Sequence, residues 1–153
     1  MFMLKIGDKI PEILGVDQDG NTHTASDYYG KKLVIFFYPK ASTPGCTTQS
    51  CNLRDEYTHF LENNIAILGV SADEQQKQFR FKEKNNLPFP LIADTEKKLI
   101  QAFGVWGNKK FMGKEFMGIL RTTFIINQQG IVEHIITKVK TKEHAQQIRE
   151  ILK

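Results

Sequence analysis

The stretch "KLVIFFYPKASTPGCTTQSC" (Lys32–Cys51) decides how this chain is read. An apolar run ends at Tyr38, a proline- and glycine-bearing loop follows, and a helical pattern begins near Cys46. The run "KLVIFFY" is continuous rather than alternating, which is the pattern of a strand buried on both faces. Pro44 suits the first position of a helix, where its missing N–H costs nothing. Thr43 is then the N-cap, with a hydroxyl expected to reach the N–H of Gly45 or Cys46. Both cysteines of the chain, Cys46 and Cys51, lie at this strand-to-helix junction.

Reading outward, "ILGVDQDGNTHT" (Ile13–Thr24) predicts an N-terminal hairpin turning at Asp19-Gly20-Asn21. The helical pattern after the cysteine loop runs through Asn63. "IAILGV" (Ile65–Val70) predicts a second buried strand, Asp73–Asn85 a polar helix, "PLIA" (Pro90–Ala93) a short strand and "TEKKLIQAF" (Thr95–Phe103) another helix. Gly104–Gly118 is rich in glycine and has no clear assignment. "TTFIIN" (Thr122–Asn127) and "IVEHIITKV" (Ile131–Val139) predict a late hairpin adding antiparallel edges, and Thr141 a cap for a closing helix. Strands alternating with helices imply an α/β fold: a thioredoxin-like central mixed sheet flanked by helices, with a flavodoxin-like order also allowed.

The 153 residues suit one domain over residues 1–153, 41% hydrophobic and 25% charged. The net charge of +4 is spread thinly; "NKK" (Asn108–Lys110) and "KVKTK" (Lys138–Lys142) lack the length and aromatic interleaving of a nucleic-acid site. "LVIFFY" (Leu33–Tyr38) is far too short to span a bilayer, and "MFMLKIGDKIPEI" is no signal peptide. The expected location is the cytoplasm, where a cysteine pair is more often catalytic, redox-active or metal-binding than structural. His23, His59, His134 and His144 are scattered, and neither a zinc site nor a thioredoxin dithiol matches the C-x4-C spacing.

Cys46 falls in the first turn of its helix, where free backbone N–H groups and the helix dipole favour thiolate over thiol. Bringing any ordinary thiol from about 8.5 to about 6 takes roughly 3.4 kcal/mol. A helix end contributes about 0.3–1 kcal/mol, about 2 at best. A second cation is therefore expected. Arg54 lies roughly 12 Å along the helix axis, Lys40 is on a flexible loop, and Arg121 stands immediately before a strand. Plainer readings coexist: Cys46 aligns with Leu53, Tyr57, Phe60 and Leu61 as an ordinary core residue, Cys51 as an inert thiol, and Arg121 as a solvated strand end.

"PKASTPGCTTQSCNLRD" resembles the active-site segment of peroxiredoxins, P-x-x-x-T/S-x-x-C, and its TPGCTxQxC form is similar to the peroxiredoxin Q, or bacterioferritin comigratory protein, subfamily. The resemblance extends through "GDKIPEI", "LVIFFYPK" and "VWGNKKFMGKEFMGILRTTFIIN". Pro39, Thr43, Cys46 and Arg121 match the family's four active-site positions without departure. The resemblance implies a thiol peroxidase acting on hydrogen peroxide and organic hydroperoxides. Cys46 would be the peroxidatic nucleophile, oxidised to a sulfenic acid. Thr43 and Arg121 would orient the peroxide, and Pro39 would shield the pocket. Cys51 would resolve the sulfenic acid as an intramolecular disulfide, to be reduced by thioredoxin. It further implies no metal or haem cofactor, and favours a monomer. A non-catalytic thioredoxin-fold interaction protein and a general thiol–disulfide oxidoreductase are the competing functions. If one regular helix runs from Thr43 to the Asn63 region, Cys46 and Cys51 lie too far apart to bond, and the first turns must unwind.

Overall fold

The computed structural model describes residues 3–153. An N-terminal hairpin pairs β1 (Ile13–Val16) with β2 (Thr22–Thr24) and leads through a 3-10 turn at Ala25–Tyr28 into β3 (Lys32–Phe37). The chain continues through α1 (Pro44–Asp55), α2 (Tyr57–Glu62), β4 (Ile65–Ser71), α3 (Gln75–Lys84), β5 (Leu91–Ala93) and α4 (Lys98–Phe103). It closes with β6 (Trp106–Phe111), β7 (Lys114–Ile119), β8 (Thr122–Ile126), β9 (Val132–Ile136) and α5 (His144–Ile151).

The central sheet has the order β5-β4-β3-β8-β9. β3, β4 and β5 are parallel, while β8 runs antiparallel to both β3 and β9. This is the expected thioredoxin-like mixed sheet. β8 is no edge, however: all five of its residues are buried, between β3 and β9. On β3 the side chains alternate between two cores. Leu33, Ile35 and Phe37 pack with Phe103 and Phe124 on one face. Val34, Phe36 and Tyr38 pack with Cys46, Leu53, Phe60 and Phe81 on the other. β3 is thus apolar throughout because each of its faces meets a helical layer.

Three expectations need correction, and one stretch left open gains an assignment. The helix expected through Asn63 breaks at Glu56, which has φ −106° and ψ 9° between α1 and α2. Leu53 and Phe60 are buried on either side of the break, but Leu61, expected on the same apolar face, points outward. α4 starts at Lys98, not Thr95, because Lys97 adopts a left-handed conformation, φ 59°. α5 is preceded by Glu143 rather than Thr141, and Asn52 Oδ1 on α1 accepts the Ala145 N–H at 2.7 Å. The unassigned Gly104–Gly118 stretch holds the β6–β7 hairpin, turning at Met112 (φ 51°) and Gly113 (φ 79°). A methionine in left-handed backbone is not a residue that signals such a turn, so local sequence hides it.

Among the described residues no helix is long and apolar enough to cross a membrane. A cleft of about 730 Å³ lined by Lys32, His59, Phe60, Arg149 and Glu150 sits at the amino end of β3. Cys46 lies beyond the opposite, carboxyl end of that strand.

Candidate active site

Cys46 is the third residue of α1, after Pro44 and Gly45, at the carboxyl ends of the parallel strands. In open α/β sheets that is where ligands bind. The loop delivering it is tied to the sheet through Asp73. The Asp73 carboxylate accepts the Ala41 N–H and the Ser71 hydroxyl, each at 2.7 Å. Thr43 has the extended backbone of an N-cap (φ −85°, ψ 156°) but makes no side-chain cap. Its hydroxyl turns back to donate to the Lys40 carbonyl at 2.7 Å, and its own carbonyl accepts from both the Thr47 N–H and hydroxyl. The side-chain cap expected at Thr43 is therefore absent. The first-turn N–H groups are left without that competitor, beside the Cys46 thiol.

Arg121 supplies the second cation that the helix end requires. It lies just before β8, and its Nη2 is 3.5 Å from Cys46 Sγ. Nη1 donates to Gln49 Oε1 at 2.5 Å. Gly45 makes room for the guanidinium: a Cβ there would stand 3.3 Å from Arg121 Nη2. Of the other candidates, Lys40 is exposed. Arg54 turns away to the Asp55 carboxylate and the Asn85 carbonyl.

Two residues enter the site that sequence reading did not single out. Gln49 is fully buried and grips Arg121; its spacing of three from Cys46, on one helix face, is the signal that was available. Its Nε2 and the buried Ser50 Oγ have no hydrogen-bond partner among the described residues. Lys109, on β6, donates to the Ile119 carbonyl at 2.9 Å. Burial, followed by repulsion from Arg121, pulls its amine below the usual lysine range, while Cys46 acts in the opposite direction. No carboxylate lies within ion-pair distance of Lys109 or Arg121 among the described residues. The surroundings of Cys46 are thus positively biased without compensation, which suits an anionic sulfur or oxygen.

Behind Arg121, Thr123 on β8 reaches the buried His144 Nε2 at 2.7 Å, and His144 Nδ1 meets Gln147 Oε1 at 2.8 Å. Burial lowers the His144 pKa to about 4, against the hydrogen bond to Gln147, with Arg121 adding to the lowering. Near neutral pH this imidazole is uncharged, its Nδ1–H donating to Gln147 and Nε2 accepting from Thr123.

The structure brings Cys46 and Arg121 together, with Thr43 heading the same helix and Pro39 half-buried at the start of its loop. Cys46 is completely buried and Cys51 is half-buried; both are free thiols. Cys51 Sγ is 3.8 Å from Asn85 Oδ1, on the far side of α1 from the Arg121 contact. Cys46 is at once the core residue of the plain reading and the partner of a guanidinium.

A family model described as the AhpC/TSA family matches residues 6–135. Peroxiredoxin Bcp of Bacillus subtilis is 47% identical over 150 residues, covering 98% of this chain and 96% of the relative. Peroxiredoxin Bcp of Escherichia coli is 42% identical over 144 residues, covering 94% and 92%. Among solved structures, a cysteine-to-serine variant of Xylella fastidiosa PrxQ superposes with a TM-score of 0.90 at 30% identity, covering 99% and 97%. The bacterioferritin comigratory protein of Xanthomonas campestris, described for its alkyl peroxide reduction activity, gives a TM-score of 0.84 at 34% identity, covering 95% and 97%.

Proposed function

The chain belongs to the AhpC/TSA family, in its peroxiredoxin Q or Bcp group, and from that premise we propose that it is a thiol peroxidase working through Cys46 and Cys51. The observation that carries the assignment of Cys46 is its placement in the first turn of α1 with Arg121 Nη2 3.5 Å from Sγ. The Cys46 thiolate attacks one oxygen of the peroxide; the O–O bond breaks, and water or an alcohol leaves after taking up a proton. Cys46 is left as a sulfenic acid. Arg121 and the free N–H groups of the first turn stabilise charge developing on the departing oxygen, in a buried setting where fixed donors act strongly. Pro39 and Thr43 shape the approach. Cys51 then resolves the sulfenic acid as an intramolecular disulfide, and a cytoplasmic thioredoxin reduces it, the enzyme acting as a monomer.

Peroxide consumption with a thioredoxin regenerating system tests this reading. Wild type should turn over, Cys46→Ser should not with any thiol donor, and Cys51→Ser should complete one round without efficient recycling by thioredoxin. Substantial turnover by Cys46→Ser removes Cys46 from the role.

A further inference from the structure

The β6–β7 hairpin carries side chains that the fold itself does not use. The two strands pair along their whole length, from Trp106↔Ile119 out to Phe111↔Lys114. Only Met112 and Gly113 turn, both with positive φ, 51° and 79°. A two-residue turn of this kind favours Asn-Gly. Methionine costs the fold stability there, because an L side chain resists left-handed backbone. Its side chain is 87% exposed, so packing returns nothing. A local rule broken without a gain to the fold points to a contact outside it. Phe111 beside it is 68% exposed, and Phe116 is exposed as well.

The two faces of this ribbon differ. Residues directly opposed on paired strands share a face, and residues along a strand alternate between faces. One face holds Lys110 and Glu115, an ion pair at 3.5 Å. The other holds Phe111 opposite Lys114 and Phe116 opposite Lys109, with no acid among them. Among the described residues, no carboxylate lies within ion-pair distance of Lys114. The tip is therefore apolar, and its cationic flank is uncompensated.

We propose that this hairpin docks on an anionic lipid surface. Phe111 and Met112 enter the interfacial layer, and Lys114 meets the lipid phosphates. Lys110 joins it by leaving Glu115, a pair so exposed that little holds it. A bilayer fits this tip better than a protein does. A stable protein interface buries about 800 Å² on each partner and is depleted in lysine. Two side chains between lysines are too small and too charged for that. Interfacial binding asks only for a few apolar groups at shallow depth and cations at the phosphate level. The turn enters with its ladder bonds intact, so little unpaired backbone is carried into the layer. The chain's net charge of +4 draws it to the same surface. Arg121 follows β7 by two residues, so docking holds the Cys46 site within a hairpin's length of the bilayer, roughly 20 Å. The docking itself requires no thiol chemistry.

Co-sedimentation of the reduced full chain with vesicles tests the proposal without any peroxide present. Vesicles of equal parts phosphatidylglycerol and phosphatidylcholine should carry the protein down, and pure phosphatidylcholine should not. Raising the salt should release it. Met112→Asn suits the left-handed turn, so its urea midpoint should equal or exceed that of wild type, while vesicle binding weakens about fivefold. Lys114→Glu reverses one charge and should weaken binding roughly 25-fold, at about fivefold for each unit of charge near an anionic surface. Both variants should reduce hydrogen peroxide at the wild-type rate. Failure of wild type to sediment with the anionic vesicles overturns the proposal, as does equal sedimentation with both lipids. Unchanged binding by Met112→Asn removes the tip from the contact and overturns it too. Loss of self-association by that variant, with vesicle binding intact, makes the hairpin a contact between copies of this chain instead.

Discussion

Arg121 and Gln49 are 72 positions apart in the chain, yet Arg121 Nη1 lies 2.5 Å from Gln49 Oε1. The bond leaves Nη2 aimed at Cys46 Sγ, 3.5 Å away. A guanidinium held at one amine presents the other in a fixed direction. Removing it by Arg121→Ala should slow the peroxide step about 10²–10³-fold, the usual loss for a donor aimed at developing charge. Gln49→Ala should cost about tenfold, because the charge remains but its aim is lost. Stopped-flow peroxide reduction would read both; equal rates for wild type and Arg121→Ala would move the role elsewhere.

Gly45 sets stability against reactivity. Alanine in a helix is favoured over glycine by about 0.5–1 kcal/mol, so Gly45→Ala should unfold at higher urea concentration. Its Cβ would stand 3.3 Å from Arg121 Nη2 and push the guanidinium off the sulfur. The expected variant is more stable and several-fold slower. Faster peroxide reduction would contradict the assigned reason for this glycine.

Lys109 adds a cation to the site that no carboxylate cancels. Lys109→Met should slow alkylation of Cys46 by iodoacetate more than by neutral iodoacetamide, because the anionic reagent senses the lost field directly. The ratio of the two rates, measured in a Cys51→Ser background, should fall about two- to fivefold at low salt and less at high salt. Lys109→Arg should preserve it. A ratio that does not move shows that the amine serves only its bond to the Ile119 carbonyl.

His144 makes the fold sensitive to acid. Its pKa is lowered to about 4 in the folded chain, by burial first, against about 6.5 when unfolded. The unfolded state therefore binds the proton more readily. The stability tied to a neutral His144 is fully present above about pH 6.5 and is lost as pH falls toward 4, on the order of 3 kcal/mol. Urea midpoints should drop across that window in wild type and drop less in His144→Gln. Parallel pH profiles for the two proteins would refute the assignment.

What the sequence determined by itself was local. The continuous apolar run of β3, the Pro44 helix start, the order of strands and helices, and the first-turn position of Cys46 all rest on interactions within a few residues, so they are legible in one dimension. Resemblance brought Arg121 to the site from a distance. The tertiary structure alone decided the rest. The partnership of Gln49 with Arg121, the capping of α5 by Asn52 across 93 positions, and the return of Lys109 to the β7 backbone all depend on which distant surfaces meet. The β6–β7 hairpin turns on a left-handed methionine, which no local preference announces. Thr43 shows the limit most plainly: its sequence position is that of an N-cap, but a hydroxyl has several neighbouring acceptors, and the loop held by Asp73 gave it to the Lys40 carbonyl. The exposure of Leu61, likewise, follows from the packing of α2 against β4, which buries Phe60 and leaves the neighbouring position outside.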